Sequence, residues 1–362
     1  MTDFVSFEKI GFQQWDEFCL KSDGAWFRHS SPCLQFCLRL NHLNKNLSFG
    51  IVDGGALLLV VPLIQQPIVE KRDLFEFAMG GDPTPYPAIK NDLPDSISTR
   101  LINSVFEKIN ELAKNNSVVY SRFFIDPLSK IFVCGAHRDN PLLKLGYNNI
   151  SLTANIVDLS IPETELFHNI RDGYRYDIKK ISQSNFVIDF FDKTSIGDEI
   201  FKIYKDIYFS SAGKEVGTKE RWDATYELIK QGNAILALEK NEEGAYISGV
   251  ICFIYKNKAY YAFGATASDF KKMNGIGQLL QWEIIKYLKA HNFEHYGLGW
   301  NYYPMISDDV YSPKELNISF FKSGFGGIIH PLIRGEKFYD ADYLKKRKNN
   351  LVEKFIEYYM RT

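Results

Sequence analysis

Apolar positions along this chain form a series of helical and strand-like stretches that occurs twice in the same order. Residues 15–21 read as a helix, and the helical spacing returns at 199–210, where Ile200, Ile203, Tyr204 and Ile207 share one face. Each stretch is followed by two β-rich runs around a glycine-containing turn. The first pair, 47–52 and 56–64, flanks Asp53-Gly54-Gly55; the second, 233–239 and 245–255, flanks Asn241 to Gly244. A long amphipathic helix comes next. Leu101, Ile102, Val105, Phe106, Ile109 and Leu112 form its apolar face in the first half, and Leu279, Leu280, Ile284, Ile285 and Leu288 in the second. Short strands at 118–125 and 293–300 follow these helices. Both halves close with similar punctuation, Leu142-Leu143-Lys144-Leu145-Gly146-Tyr147 against Phe320-Phe321-Lys322-Ser323-Gly324-Phe325, in which Gly146 and Gly324 are predicted to end a helix in the left-handed conformation.

Leu101 and Leu279 stand at the same offset as Lys144 and Lys322, while the hairpin turns are about ten residues further apart, which points to a duplication with one short length change. The expected fold is α/β, two tandem lobes with mixed sheets flanked by helices. The lobes are expected at 1–155 and 156–335, with the linker near 153–162 and a C-terminal amphipathic helix within 336–362. On that helix Leu344, Leu351, Val352, Phe355, Ile356 and Tyr359 share a face, and Lys345-Lys346-Arg347-Lys348 form a basic run. A solvated face, a peripheral membrane contact and an RNA contact all fit such a run.

At 362 residues the chain is long enough for two cores, and 45% hydrophobic residues suffice to fill them. The 43 basic and 44 acidic side chains nearly balance, so the molecule as a whole has no electrostatic reason to bind nucleic acid nonspecifically. Cys19, Cys33, Cys37, Cys134 and Cys252 lie mostly in apolar runs and read as buried thiols of a reducing compartment, with no disulfide and no metal site. The first residues lack a basic segment followed by an apolar one, and the apolar run at 56–64 is interrupted by Pro62 and is about half a membrane span, so no transmembrane segment and a cytoplasmic location are expected.

Two segments carry candidate chemistry. Lys272-Met273-Asn274-Gly275-Ile276-Gly277 sits between a strand and the long second-half helix and has the basic-x-x-Gly-x-Gly form of the pyrophosphate loop of GNAT acetyltransferases. Glycines admit close backbone approach, and amides at a helix N-terminus favour phosphate oxygens, so Lys272, Asn274, Gly275 and Gly277 are donor-binding candidates. A plain strand-to-helix turn has the same pattern. The other segment is Phe320 to Gly327. Arg171, Arg175, Lys179 and Lys180 place several cations along one side of a helix, with Tyr174 and Tyr176 interleaved; anion gripping and a solvated face are both compatible with that spacing. Gly80 to Pro87 is a proline-stiffened loop that reads as a structural turn or as the wall of a cleft faced by Asp82 and Tyr86. There is no His-Glu-x-x-His and no Gly-x-Ser-x-Gly.

The Phe-Lys-x-x-Phe-Gly stretch at 321–326, Leu279-Leu280-x-Trp282 at the helix start, Tyr296-Gly297-Leu298-Gly299 at a strand end and the basic segment 171–180 together resemble the FemAB/FemX-like family of aminoacyl transferases. That resemblance implies two GNAT-like lobes with the active site in the second. It also implies a catalytic role for Lys322, beside Phe321, in stabilising charge as an amine attacks an acyl ester. Arg171, Tyr174, Arg175, Tyr86 and Trp300 are the substrate-contact candidates. The implied donor is aminoacyl-tRNA, which makes tRNA a partner, whereas the 272–277 loop points to acyl-CoA; no tightly bound cofactor is expected. The implied acceptor is an amine on a nucleotide- or lipid-linked sugar or peptide of the cell envelope. The chain departs from the family in the first lobe, where 29–37 has no lysine and Arg39 is a nearby substitute, and it lacks an inserted two-helix arm. The 207–226 stretch also lacks the expected arginine pattern, with Lys214, Lys219 and Arg221 as substitutes. A noncatalytic platform for a polysaccharide precursor or protein partner is the alternative.

Overall fold

A computed structural model describes residues 3–68, 71–129, 139–304 and 309–361; Cys134 lies outside the described residues. The chain divides into two compact units, one of Met1–Thr153, Tyr302–Leu316 and Pro331–Thr362, the other of Ala154–Asn301 and Asn317–His330.

The first unit opens with strand β1 (Asp3–Ser6) and helices α1 (Phe7–Ile10), α2 (Phe12–Lys21) and α3 (Ser31–Arg39). The Ser30 hydroxyl accepts from the Cys33 amide and so starts α3. Strands β2 (Lys45–Asn46), β3 (Phe49–Asp53), β4 (Ala56–Val61), β5 (Ile64–Ile68), β6 (Lys71–Phe77), β7 (Thr84–Pro85) and β8 (Ala88–Ile89) follow. The β3–β4 hairpin pairs Asp53 with Ala56, leaving Gly54 and Gly55 as a two-residue turn at φ +56° and +83°. Two consecutive positive φ values match the strand twist and are cheap only for glycine. Helix α4 (Asp95–Asn115) buries Leu101, Ile102, Val105, Phe106 and Ile109 against Leu59, Val61, Phe77 and Phe123, each side chain contributing about 1.5–3 kcal/mol. Strand β9 (Val118–Phe124) runs parallel to β6. Beyond the end of β6, β7 takes over the same edge, pairing Thr84 with Phe123 and Pro85 with Phe124, and the Tyr86 amide donates to the Phe124 carbonyl at 2.7 Å. A 3-10 turn (Pro141–Leu145) and β10 (Asn148–Asn149) complete this stretch.

The second unit is built on β11 (Leu152–Asp158), helices α5 (Glu163–His168) and α6 (Asp172–Ile181), β12 (Val187–Phe191), helices α7 (Asp198–Ala212) and α8 (Lys219–Lys230), and strands β13 (Ala234–Lys240), β14 (Tyr246–Tyr255) and β15 (Lys258–Thr266). Then come α9 (Ile276–Ala290), β16 (His295–Asn301), α10 (Pro313–Ser323, which crosses the unit boundary) and β17 (Ile328–Leu332). Among the described residues its sheet has the order β12-β13-β14-β15-β16-β11-β17. Strands β12 to β15 are antiparallel neighbours, and β15 to β16 is a parallel step reached through α9. Helices α6 and α9 cover one face, where Ile178, Ile181, Leu280, Ile284 and Leu288 meet Ile235, Ala237 and Val250. On α7 and α8, Phe201, Tyr204, Tyr208, Phe209, Trp222 and Tyr226 form an aromatic cluster.

The chain then returns to the first unit. Strand β18 (Arg334–Phe338) pairs with both β9 and β10, and α11 (Ala341–Arg361) follows it. The buried Glu336 carboxylate accepts from the Tyr120 hydroxyl at 2.9 Å and pairs with Lys348 at 2.7 Å, while Arg347 stacks 4.7 Å from the Tyr120 ring centroid. Half of the basic run thus anchors α11.

Several expectations need revision here. The stretch expected to be a linker, 153–162, is largely β11, an interior strand of the second sheet; a mostly buried, β-branched segment belongs there. The boundaries at 155 and 335 differ from the observed division, because β18 and α11 pack with the first unit. Gly146 does end its turn left-handed, at φ +80°, but Gly324 does not have positive φ; Gly326 and Gly327 do, at +77° and +89°. Glycine is required at 324 for a different reason, since a Cβ there would lie 2.2 Å from the Tyr174 ring.

Candidate active site

Parallel strands β15 and β16 pair only from Lys258–His295 to Tyr260–Gly297. Beyond this both continue, to Thr266 and Asn301, without pairing with each other among the described residues, so the sheet opens into a wedge. A bulge helps to open it: Ile251 faces Phe263 and Cys252 faces Tyr261, which leaves Ala262 unmatched and bends β15. In the first unit the corresponding gap beside β9 is closed by β7.

Lys322, in the last turn of α10, reaches this wedge. Its Nζ lies 4.3 Å from the Tyr261 ring centroid. Gly299 on β16 has φ +105°, and a Cβ there would come 3.0 Å from Nζ, so the missing side chain is what admits the ammonium. Tyr261 is accommodated the same way, since a Cβ on Gly264 would collide with its hydroxyl. Beneath lie neutral buried groups. The Tyr296 hydroxyl donates to Gln281 Oε1 at 3.0 Å and sits 3.6 Å from Cys252 Sγ. Burial pushes the Cys252 thiol up to about 12, with Tyr296 and then Lys322 pulling the other way, so it stays protonated at neutral pH. Burial likewise raises Tyr261 and Tyr296. A fixed cation on a low-dielectric floor interacts strongly with a developing anion. The matching lysine of the first unit, Lys144, is exposed on a 3-10 turn.

Phe321 turns the other way, toward Tyr174 (centroids 5.8 Å), Phe325 (5.1 Å) and the first turn of α9. A Cβ on Gly277 would stand 3.2 Å from the Phe321 ring. Gly275 adopts φ +100° as the N-cap of α9, where a Cβ would come 3.2 Å from the Asp177 carbonyl oxygen and from Ile181 of α6. Its amide donates to Gln278 Oε1 at 3.2 Å. Both glycines of the predicted phosphate loop therefore have a packing reason, and Lys272 and Asn274 are exposed beside them.

The remaining candidates serve different ends. Arg171 lies 3.9 Å from the Phe320 ring centroid and 5.1 Å from that of Tyr174; its backbone amide donates to the Gly324 carbonyl at 2.8 Å, and Nη2 donates at 3.4 Å to both the Phe320 carbonyl and Ser323 Oγ. It ties the start of α6 to the turn that carries Lys322. Arg175 closes the α5–α6 junction, donating from Nη1 to the Ile170 (2.8 Å) and His168 carbonyls and from Nη2 to Asp172 (2.6 Å). Tyr174 packs on Phe321 and Phe325. Trp300 is half-buried at the end of β16, next to Gly299. Tyr86 belongs to the first unit, with its ring on Phe106 and its carbonyl oxygen 2.8 Å from His29 Nε2, and Asp82 pairs with Arg28 at 2.7 Å.

Sequence reasoning missed Tyr261 and Glu239, and gave Gly299 no role beyond its place in the Tyr-Gly-Leu-Gly strand end. Tyr261 looks like an ordinary strand residue until the wedge is seen. Glu239, a lone acid in an apolar strand run, is the one with a visible signal. It is fully buried on β13, neither carboxylate oxygen has a hydrogen-bond partner among the described residues, and burial together with Glu283 pushes it up to about 9.

Residues 194–307 match the family model of the acetyltransferase (GNAT) domain. A 63-residue stretch, 17% of this chain, is 36% identical to the lipid II:glycine glycyltransferase of Staphylococcus epidermidis, and it spans only 15% of that relative's length. Among solved structures, FemX superposes with a TM-score of 0.65 at 13% identity, covering 95% of this chain and 99% of FemX. L-PGS from Bacillus licheniformis superposes with a TM-score of 0.57 at 12% identity, covering 94% and 96%. The chain has the FemX-like fold, and part of its second half matches the GNAT domain model, in line with the sequence resemblance. No described helix is long and apolar enough to cross a membrane.

Proposed function

We propose that the chain is an N-acyltransferase that moves an aminoacyl or acyl group onto an amine of a lipid- or nucleotide-linked cell-envelope precursor. The observation that carries this reading is the wedge between β15 and β16, open in the second unit, with the Lys322 ammonium held over Tyr261 beside the side-chain-free Gly299. The likeness to a lipid II glycyltransferase and to FemX supports the aminoacyl class of chemistry and a peptidoglycan-type acceptor.

The step is a direct displacement. The acceptor nitrogen forms a bond to the carbonyl carbon of the acyl ester or thioester, and the carbonyl oxygen takes up negative charge. Lys322 meets that charge from a fixed position, so little reorganisation is needed as it develops. The carbon–oxygen or carbon–sulfur bond then breaks, and the proton lost by the attacking nitrogen ends on the departing hydroxyl or thiol. Wedge and cation together align donor and amine, which supplies the proximity part of the acceleration. Arg171 and Phe321 act as positioning residues for the Lys322 turn.

The test measures transfer by the purified chain from aminoacyl-tRNA and, separately, from acyl-CoA onto lipid-linked and nucleotide-linked precursors. Lys322→Ala is expected to lower kcat/KM by about 10²–10³ with the melting temperature preserved, the usual cost of removing one oxyanion-stabilising group. Stabilisation by coenzyme A in a thermal shift assay selects the thioester donor. Turnover with neither donor, together with unchanged precursor affinity in Lys322→Ala, overturns the proposal in favour of a noncatalytic binding platform.

A further inference from the structure

Tyr261 carries a phenol where the fold asks only for a ring. Its face seats the Lys322 ammonium, with Nζ 4.3 Å from the ring centroid, and a phenylalanine would present a similar face. The hydroxyl is a different matter. Other phenols of this unit are partnered: Tyr296 donates to Gln281 Oε1 at 3.0 Å and Tyr204 to the Phe263 carbonyl at 3.2 Å. The Tyr261 hydroxyl has no hydrogen-bond partner among the described residues, although the residue is only partly exposed. It also requires glycine at 264, since a Cβ there would collide with its oxygen. Glycine weakens a strand, and a phenol withdrawn from water without a partner costs free energy as well. Both departures disfavour the fold, and neither gains a polar contact among the described residues. Packing rules are broken in this way where a group faces a ligand instead of the protein.

Position decides what that ligand group is. Tyr261 directly follows Tyr260, the last residue of β15 paired with β16, so the phenol stands at the base of the wedge beside the Lys322 ammonium. An ammonium 4.3 Å above the ring centre is roughly 5 Å from the phenolic oxygen, a span into which one oxygen fits at hydrogen-bond length from both donors. Burial keeps the phenol protonated at neutral pH, so it has a proton to offer. We infer that the Tyr261 hydroxyl is a catalytic group, donating a hydrogen bond to the carbonyl oxygen of the acyl donor as it becomes an oxyanion, while Lys322 meets the same oxygen from the other side. The inference rests on the transferase reading. The phenol keeps its proton throughout, so the bonds made and broken, and the passage of the amine proton to the leaving group, are those already described.

Tyr261→Phe keeps the ring under Lys322 and removes only the hydroxyl. Steady-state transfer by the full chain is measured with aminoacyl-tRNA and with acyl-CoA, alongside thermal melts. With the donor that the parent uses, kcat is expected to fall about 10²-fold and KM to stay within about two-fold, because the bond reaches full strength only in the transition state. The melting temperature stays at or above the parent value, since the lost hydroxyl had no protein partner. Combining Tyr261→Phe with Lys322→Ala is expected to lower kcat by less than the product of the two single losses, two donors to one oxygen being coupled; losses that multiply place the donors on different atoms and overturn the inference. An unchanged kcat in Tyr261→Phe overturns it and leaves the Lys322 reading standing. An effect confined to KM assigns the hydroxyl to ground-state binding and also overturns it. The same holds for a loss of kcat accompanied by a clearly lower melting temperature, which assigns the hydroxyl to the fold. A parent chain that transfers from neither donor removes both readings.

Discussion

Replacing Glu239 by Gln removes a proton-binding site that the folded chain holds far more tightly than the unfolded one. The carboxyl is fully buried without a hydrogen-bond partner among the described residues, and its value rises from 4.5 to about 9. Folded Glu239 is therefore neutral at pH 7, whereas in the unfolded chain it is ionised. Between those two values folding takes up a proton, so stability falls as pH rises, by about 1.4 kcal/mol per pH unit. At pH 7 the accumulated cost is about 3 kcal/mol, and between pH 5.5 and 8.5 it grows by about 4 kcal/mol. Gln has nearly the same shape and does not titrate. Its buried amide carries its own penalty of about 1–3 kcal/mol, but that penalty is the same at every pH. The informative quantity is hence the slope of the difference between variant and parent. Denaturant unfolding followed by circular dichroism at pH 5.5, 7 and 8.5 should show Glu239→Gln gaining on the parent at each step. A difference that stays flat across this range refutes the claim that the native carboxyl is protonated. The effect should appear in the transition of the second unit, since Glu239 lies in its sheet.

Further outcomes follow from the site. Gly299→Ala places a methyl group 3.0 Å from Lys322 Nζ at φ +105°, so transfer activity should fall with the lysine still present, and kcat should suffer more than KM. Gly324→Ala drives a Cβ to 2.2 Å from the Tyr174 ring; a loss of about 1–3 kcal/mol is expected in thermal melts, partly restored by adding Tyr174→Ala. Arg171→Ala removes the stack on Phe320 and both side-chain bonds to the Lys322 turn, so activity should drop less than in Lys322→Ala, while Arg171→Lys recovers little because a lysine lacks the planar fork.

The repeated order of hairpin, helix and strand was legible in the sequence because each element declares itself locally. The 3.6-residue period at 101–112 and 276–288 and the glycine turns at 54–55 and 244 need no knowledge of what packs against them. The Phe-Lys motif was legible too, as a resemblance. Strand β11 was not, since a strand in the interior of a sheet takes its place from partners far away in sequence, β16 and β17. For the same reason β18 was not read as a strand, and the boundary expected at 335 cuts through it. Its residues fit any sheet, and only pairing with β9 and β10 puts it in the first unit.

What the sequence determined by itself was therefore the inventory of elements and the duplicated plan, which short-range periodicity and turn chemistry dictate. The resemblance singled out Lys322, but only the tertiary structure shows why two lysines at similar punctuation have different surroundings. Lys144 and Lys322 occupy equivalent punctuation, yet one is exposed on its turn and the other lies in a wedge over Tyr261 and Gly299. That difference depends on how the edge beside β9 or β16 is filled: β7 fills it in the first unit, whereas in the second, among the described residues, β15 and β16 stop pairing at Tyr260. Strand pairing across long sequence separations sets that outcome, and no local pattern around either lysine encodes it.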